Sequence, residues 1–170
     1  MGFLFEHPDH GYELHHHLKE VFGNIWHASQ SQTYNILKRL EAQGYISVTE
    51  VEQDKLPARQ LQELTAEGRM RFTDWLNQPS KCSVHAIRVE FLTRLYFTQL
   101  FYPHQTQEII RSQIEVVENG VDDMQGVLDA LPTRQIFDRL AVELRIELLK
   151  SLVAWLKGCE NRFTGMNPGE

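Results

Sequence analysis

A run of polar side chains between residues 29 and 39 has the chemistry needed to read a nucleic acid. Glutamine and asparagine can pair with two atoms of an adenine edge, serine and tyrosine hydroxyls can hold phosphate oxygens, and lysine and arginine add positive charge. The residues concerned are Ser29, Gln30, Ser31, Gln32, Tyr34, Asn35, Lys38 and Arg39. An ordinary amphipathic helix with a solvated polar face gives the same pattern, so the surrounding elements have to separate the two interpretations.

The run falls within a predicted helix that has signals at both ends. Ser29 followed by Gln32 is a capping box, in which each side chain bonds a backbone N–H that the first turn leaves free. Gly44 is a typical residue just past a helix C-terminus. The inward-facing positions predicted by helical spacing are Thr33, Leu37 and Leu40. The polar residues then face outward, mostly in the N-terminal half of the helix, where recognition helices contact base edges.

A β-hairpin is predicted directly after this helix. Alternating valines predict a strand from residue 46, a polar loop at residues 53–58 turns the chain, and a strand returns over residues 59–64. Lys55 and Arg59 lie at the predicted tip, where they could meet DNA phosphates. The alternative is a solvated hairpin with incidental charges.

The elements on either side complete a winged helix-turn-helix. An amphipathic helix that closes at Gly23 precedes the polar run, and a helix capped by Thr65 follows the hairpin. A polar break at residues 77–80 then separates three long helical patterns. We therefore predict a mainly α protein, with an N-terminal winged helix-turn-helix DNA-binding domain with a two-stranded wing over residues 1–78. A C-terminal α-helical dimerisation and effector domain follows over residues 79–170.

Apolar residues in the C-terminal half recur at the alternating spacings of three and four that are typical of coiled-coil packing. One series runs from Ile110 to Leu131, with Gly120 as a predicted bend, and a second runs from Phe137 to Phe163. These faces could cover one another within a chain, but faces this wide indicate a partner surface, and a symmetric homodimer is the simplest one. The predicted dimer contacts are Phe91, Leu95, Ile110, Ile114, Val117, Val121, Met124, Leu128, Leu148, Leu152 and Trp155.

The charge balance excludes one class of DNA-binding protein. The chain carries 17 Lys and Arg against 23 Asp and Glu, a net charge of −6, and residues 1–78 hold 7 against 11. A non-specific binder obtains its affinity by neutralising phosphates and should be basic. A histone-like role is therefore excluded, whereas a site-specific reader needs only a few cations on one surface.

Motifs and composition give no support for catalysis, a cofactor, a metal or a membrane span. The sequence has no apolar run of about 18 residues, and Cys82 and Cys159 are expected to be unlinked thiols of a cytoplasmic protein without a secretory leader. Consecutive histidines at 15, 16 and 17 point in different directions on a helix, so an exposed cluster is expected rather than a metal site. The three tryptophans could line a pocket for a planar effector or pack in cores.

In register from Pro8 to Leu76, the N-terminal half resembles the PadR family of bacterial transcriptional regulators. The matching segments are HGYEL at 10–14, QTY at 32–34, LKRLEAQGYI at 37–46, PAR at 57–59 and LTAEG at 64–68. Residues 91–113 and 143–159 resemble the C-terminal domain of longer, virulence-activator-like members. The resemblance covers nearly the whole chain, and the combined order of segments is more specific than any one of them.

The resemblance implies a ligand-responsive repressor or activator that binds double-stranded DNA, at an inverted-repeat operator, as a homodimer. Ser31, Tyr34 and Lys38 would then lie at the DNA, with Arg59 in the wing near a phosphate or the minor groove. Gln62 stands where the family usually has an aromatic residue, so a weaker wing contact is expected. The alternative function is a winged-helix protein-interaction module without DNA binding, which the acidic N-terminal half favours.

Overall fold

The chain divides into two units, Met1–Asn77 and Gln78–Glu170. The computed structural model describes residues 1–53 and 56–164, without the side chains of residues 51–58 and 164. We call Met1–Asn77 the N-terminal unit and Gln78–Glu170 the helical unit, and we describe each by itself.

The described part of the N-terminal unit is a winged helix-turn-helix, as predicted. Its elements are a 3-10 turn at Gly2–Leu4, β1 (Asp9–His10), α1 (Gly11–Phe22), α2 (Gln30–Ala42), β2 (Ile46–Gln53), β3 (Leu56–Leu64) and α3 (Ala66–Leu76). The strands form an antiparallel sheet in the order β1-β3-β2. The two-stranded wing is therefore present, and β1 extends it by pairing Asp9 with Gln62 and His10 with Leu61.

The wing strands run further toward the tip than the sequence indicated. A loop was expected over residues 53–58, whereas β2 continues to Gln53 and β3 begins at Leu56, with an irregular register between Val51 and Gln53. The longer strand β3 includes Pro57, although proline is excluded from central strands. Since β1 reaches only Leu61 and Gln62, β3 has one neighbour at Pro57, and an irregular edge tolerates proline.

The base of the wing is fixed by its two flanking helices. Gly44 adopts a φ of 75° just past α2, and the Tyr45 N–H donates to the Leu40 carbonyl at 2.9 Å, closing the helix end. The Thr65 hydroxyl donates to the Gly44 carbonyl at 2.7 Å and accepts from the Gly68 N–H at 3.1 Å. The Thr65 side chain thus caps α3 and also bonds the residue that ends α2. This holds the start of β2 close to the end of β3.

The helical unit consists of long helices in its described part, as expected from its apolar periodicity. Its elements are α4 (Val84–Ala86), a π-helical stretch (Ile87–Phe91), α5 (Leu92–Phe101), a 3-10 turn (Pro103–Gln105), α6 (Thr106–Ala130) and α7 (Ile136–Thr164). Among the described residues, none of the helices combines the length and apolar character needed to span a membrane.

Five of the predicted dimer contacts instead form the core of the helical unit. Phe91, Leu95, Ile110, Ile114 and Val117 are buried together with residues of α7. Most of the surface of these five side chains is covered within the chain, and their contact with a partner subunit stays a prediction. Sequence periodicity could not separate the two roles, because core seams and dimer seams have the same spacing.

The helix α7 has a second apolar face that is largely exposed, although Trp155 at its end contacts the Phe91 ring. Its core side is buried at Ile146, Leu149 and Leu156. The opposite residues, which we call the outer face of α7, are Ile136, Phe137, Leu140, Leu144, Leu148 and Trp155. Phe137 is 87% exposed and Leu144 is 63% exposed. The remaining predicted dimer residues, Val121, Met124, Leu128 and Leu152, are half-buried.

Gly120 allows a close approach of two elements instead of bending its helix. The helix α6 continues unbroken from Thr106 to Ala130. A Cβ at Gly120 would overlap the Cys82 sulfur. Cys82 and Cys159 are free thiols, as predicted, and burial raises the pKa of both.

We expect Gly120→Ala to lower the free energy of unfolding by about 1–3 kcal/mol, because the added methyl overpacks this contact. Urea titrations followed by circular dichroism would measure the change. Gly126 is the matched control, since it lies in the same helix with nothing within 4 Å of its Cβ position. Gly126→Ala should stabilise the protein by up to about 1 kcal/mol through helix propensity. Equal effects at the two glycines would contradict this account of Gly120.

A buried polar cluster fixes the start of the helical unit. The Gln113 amide pairs with the backbone of Ser80, accepting from its N–H at 2.7 Å and donating to its carbonyl at 2.9 Å. Arg94 donates to the Ser80 hydroxyl at 2.7 Å and to Glu90 at 2.7 Å. Ser80, Arg94 and Gln113 are each no more than 1% exposed. Burial lowers the pKa of Arg94, and the bond to Glu90 opposes that shift.

Candidate nucleic-acid interface

The capping box predicted at the start of α2 is present and orients the polar residues. The Ser29 N–H donates to Gln32 Oε1 at 2.8 Å, and the Gln32 N–H donates to Ser29 Oγ at 3.2 Å. Thr33 and Leu37 are buried, which turns the opposite side of α2 outward. Two of the predicted DNA contacts, Ser29 and Gln32, accept these capping hydrogen bonds with their side-chain oxygens. In this structure the two side chains therefore stabilise the N-terminus of α2.

The other predicted residues of α2 form one open surface. Gln30, Ser31, Tyr34, Asn35, Lys38 and Arg39 are exposed. Hydrogen bonds and ion pairs to other described residues are absent for this set. Two cations, three amide or hydroxyl groups and one phenol are therefore free to bind a ligand. We call these six residues the polar surface of α2.

The wing contributes one cation that the structure describes. Arg59 is exposed and pairs in register with Val51 across the hairpin. Lys55, predicted at the same tip, lies outside the described residues. Gln62, which replaces the family's usual aromatic residue, is 3% exposed in β3.

A cavity of about 490 Å³ lies beside Tyr34 and was not predicted from the sequence. The first turn of α1, α2 and the two wing strands line this cavity, which is open to solvent on one side. Gly11 lets α1 and α2 meet there, because a Cβ at Gly11 would lie 2.8 Å from Tyr34 Cε1. Tyr12 also lines the cavity and is 61% exposed. The only sequence feature that could have pointed to Tyr12 is that it is an aromatic residue at the start of a helix.

The histidines of α1 bind different partners. His15 lies 3.0 Å from the Thr33 hydroxyl, His16 is 3.0 Å from Glu20, and His17 is 3.5 Å from Asp9. Within residues 1–53 and 56–164, no three His, Cys, Asp or Glu side chains are arranged to hold a metal ion. The histidines therefore diverge, as expected for consecutive residues on a helix.

Comparison with known proteins finds a family whose members are similar to the N-terminal unit. Residues 1–74 match the model of the transcriptional regulator PadR-like family. Residues 1–74 are therefore a PadR-like domain. This family consists of transcriptional regulators and not of enzymes.

The similarity to PadR extends beyond the N-terminal unit. The negative transcriptional regulator PadR of Bacillus subtilis is 25% identical over 158 residues, covering 86% of this chain and 85% of that protein. Its crystal structure with operator DNA is 24% identical and covers 95% of each chain, with a TM-score of 0.47. Its crystal structure with p-coumaric acid is 22% identical and covers 96% of this chain and 95% of the other, with a TM-score of 0.41. The Vibrio cholerae virulence activator AphA is 20% identical over 97% of this chain and 95% of its own, with a TM-score of 0.39.

Proposed function

We propose that this chain is a PadR-family regulator, which binds an inverted-repeat operator in double-stranded DNA as a homodimer and represses transcription. The observation that carries the proposal is the polar surface of α2, whose side chains make no hydrogen bond or ion pair with other described residues and project from a capped helix. Its residues have the functional groups that recognise base edges and phosphates in the major groove. We also infer a cytoplasmic location, where bacterial operator DNA is accessible. The name of the negative regulator from Bacillus subtilis supports repression.

The contacts follow from the chemistry of each side chain. Gln30 and Asn35 would pair with adenine edges, and Ser31 and Tyr34 would hold phosphate oxygens. Lys38 and Arg39 would supply charge at the far end of α2, with Arg59 and Lys55 reaching the backbone from the wing. Because the N-terminal half is acidic overall, these few cations have to be concentrated at the DNA.

The homodimer would form through the outer face of α7. Phe137, Leu140, Leu144 and Leu148 follow one another at spacings of three and four residues, so they lie along one side of the helix. Exposed apolar patches of this kind mark partner surfaces. A second copy is the occupant we propose, since a two-fold dimer places two α2 helices for the two halves of an operator.

A small-molecule effector completes the proposal. The helical unit would bind it and change the dimer geometry, as the PadR resemblance implies, and p-coumaric acid is the ligand of the Bacillus subtilis relative. A thermal-shift screen of small aromatic acids, with a gel-shift readout on operator DNA, would search for this effector.

DNA binding is tested by fluorescence anisotropy with labelled duplexes from the region upstream of the protein's own gene. We expect Lys38→Ala to weaken binding about tenfold on every sequence and to reduce the slope of log affinity against log salt by about 1, since it removes a phosphate contact. Asn35→Ala should instead reduce discrimination between operator and mutated operator by about 1–3 kcal/mol.

Lys19→Ala is the matched control for Lys38→Ala, because Lys19 is an exposed cation on α1 outside the polar surface of α2. It should leave DNA binding within about twofold of the unmodified protein. No sequence-dependent binding at low salt, together with salt-independent capture of a protein partner, would favour the alternative of a protein-interaction module.

A further inference from the structure

A histidine of α1 is hydrogen-bonded to the helix that carries the polar surface of α2. His15 Nδ1 lies 3.0 Å from Thr33 Oγ1, and the two residues are 18 positions apart in the sequence. Thr33 is 3% exposed, whereas His15 is half-buried. The bond therefore joins α1 to the buried side of α2 within the first turn of α2.

The single hydrogen of the Thr33 hydroxyl fixes the direction of this bond. Thr33 Oγ1 donates to the Ser29 carbonyl at 3.2 Å, and a carbonyl oxygen can only accept. Because a hydroxyl has one hydrogen, the Thr33 oxygen must then accept from His15. A neutral imidazole has one ring proton, so a neutral His15 carries that proton on Nδ1.

The chain of hydrogen bonds that starts at His15 ends at the N-terminal residue of α2. The Ser29 carbonyl accepts from the Thr33 hydroxyl and also from the Thr33 N–H at 2.9 Å. Gln30 and Ser31, two residues of the polar surface of α2, follow Ser29 directly. The bond from α1 therefore restrains the turn from which these two side chains project.

Other contacts between α1 and α2 restrain this turn less precisely. Leu14 and Leu37 are buried in one apolar cluster, and apolar burial has no directional preference. Gly11 lies close to the Tyr34 ring, which is again an apolar contact. A hydrogen bond weakens steeply when its angle changes, so the bond from α1 adds a directional restraint to an apolar interface.

We propose that His15 is a positioning residue for DNA recognition: by donating to Thr33, it holds the first turn of α2 in the orientation that reads the operator. His15 acts through α2 and does not itself touch DNA. This inference rests on the proposed function, because it concerns the same polar surface. The net effect of one hydrogen bond corresponds to about a fivefold change in the population of the oriented state, and the apparent affinity changes by the same factor.

The direction of the bond is tested without DNA. Nitrogen–proton correlation NMR spectra distinguish the two ring tautomers in the full chain at about pH 8, where an ordinary imidazole is neutral. Of the eight histidines, the one whose signals vanish in His15→Leu should be in the Nδ1–H form. Thr33→Val should abolish that preference, because the oxygen that accepts the proton is removed. An Nε2–H ring at His15 in the unmodified protein would overturn the proposal.

DNA affinity is then measured on the operator and on an unrelated duplex. His15→Leu should weaken operator binding about fivefold. Its effect on the unrelated duplex should be less than about twofold, because non-specific binding depends on phosphate charge rather than on base contacts. Circular dichroism should show unchanged helical content. Equal weakening on both duplexes would indicate a merely structural role and overturn the proposal.

A conservative variant and a matched control sharpen this measurement. His15→Asn should keep operator affinity within about twofold, since its amide nitrogen can take the place of Nδ1 as a donor. His16→Leu should also have no effect, because His16 is exposed and lies 3.0 Å from Glu20 on its own helix. An equal loss in His15→Asn and His15→Leu would overturn the role of the hydrogen bond.

A double-mutant cycle tests whether His15 acts through Thr33. Thr33→Val removes the hydroxyl at similar volume and should weaken operator binding about fivefold by itself. With His15→Leu added, the loss should stay at about fivefold, because both substitutions remove the same bond. A loss of about 25-fold in the double variant, as expected for independent effects, would overturn the proposal.

Failure of this inference and failure of the proposed function give different results. If His15 is in the Nδ1–H form and His15→Leu leaves operator binding unchanged, the positioning role is overturned and DNA binding stands. If no duplex binds under any condition, the proposed function fails and the positioning role falls with it, whereas the NMR result still establishes the bond.

Discussion

Replacing Arg94 by alanine should lower the free energy of unfolding by about 2–4 kcal/mol, close to the cost of emptying a large buried site. The arginine is 1% exposed and the largest of the fully buried side chains. Its loss would leave the Ser80 hydroxyl without a donor in the core and Glu90 without its ion-pair partner. Chemical denaturation followed by tryptophan fluorescence would measure the change.

Two further variants separate packing from charge. Arg94→Met keeps most of the volume and leaves little cavity, so it should cost about half as much as alanine, and the remaining cost comes from the lost bonds to Ser80 and Glu90. Arg88→Ala, at an exposed position in the same helical stretch, should change stability by less than about 0.5 kcal/mol. A similar cost for Arg88→Ala and Arg94→Ala would show that the Ser80 cluster does not stabilise the unit.

Changing both Leu144 and Leu148 to glutamate should convert the proposed dimer to a monomer. Burying two leucine side chains contributes about 3–6 kcal/mol to association, so the dimer Kd should rise more than about 100-fold. Analytical ultracentrifugation would measure it. Affinity for a two-site operator should fall about 100-fold or more, because the second α2 helix would no longer be held near its half-site.

The folded state of the variant provides the control. Both leucines are exposed, so the helical content measured by circular dichroism should not change. Lys150→Glu makes the same change of two charge units at an exposed position of α7 that helical spacing places off the outer face, and it should leave the dimer intact. A dimer that survives the double substitution would mean that the subunits meet through another surface.

Local rules were sufficient to predict α2 and its orientation. The Ser29–Gln32 capping box, the buried Thr33 and Leu37, and the turn at Gly44 depend on residues close together in the chain, and each is present. The Thr65 cap of α3 was predictable for the same reason. The outward direction of the polar surface of α2 follows from these elements, although its contact with DNA stays a prediction.

Other features depend on residues distant in the sequence. Nothing near Gln62 indicates that its amide is buried beside α1, and nothing near Ser80 indicates that Gln113 will pair with its backbone. The two apolar series of the helical unit have the same spacing, so only the structure separates the buried residues of α6 from the outer face of α7. The cavity beside Tyr34 arises where α1, α2 and the two wing strands meet, and no single segment carries its signature.

If the outer face of α7 forms the proposed dimer, the two apolar faces of this helix also connect regulation to protein abundance. The core side of α7 is buried within the chain, so a monomer can fold. The outer face of α7 would be buried only when two folded chains associate. Where monomers predominate, halving the chain concentration reduces the amount of dimer about fourfold by mass action. When growth or proteolysis lowers the chain concentration, the fraction of operator that is occupied would therefore fall by a larger factor than the chain concentration itself. Such a regulator would respond to its own synthesis rate even before an effector arrives.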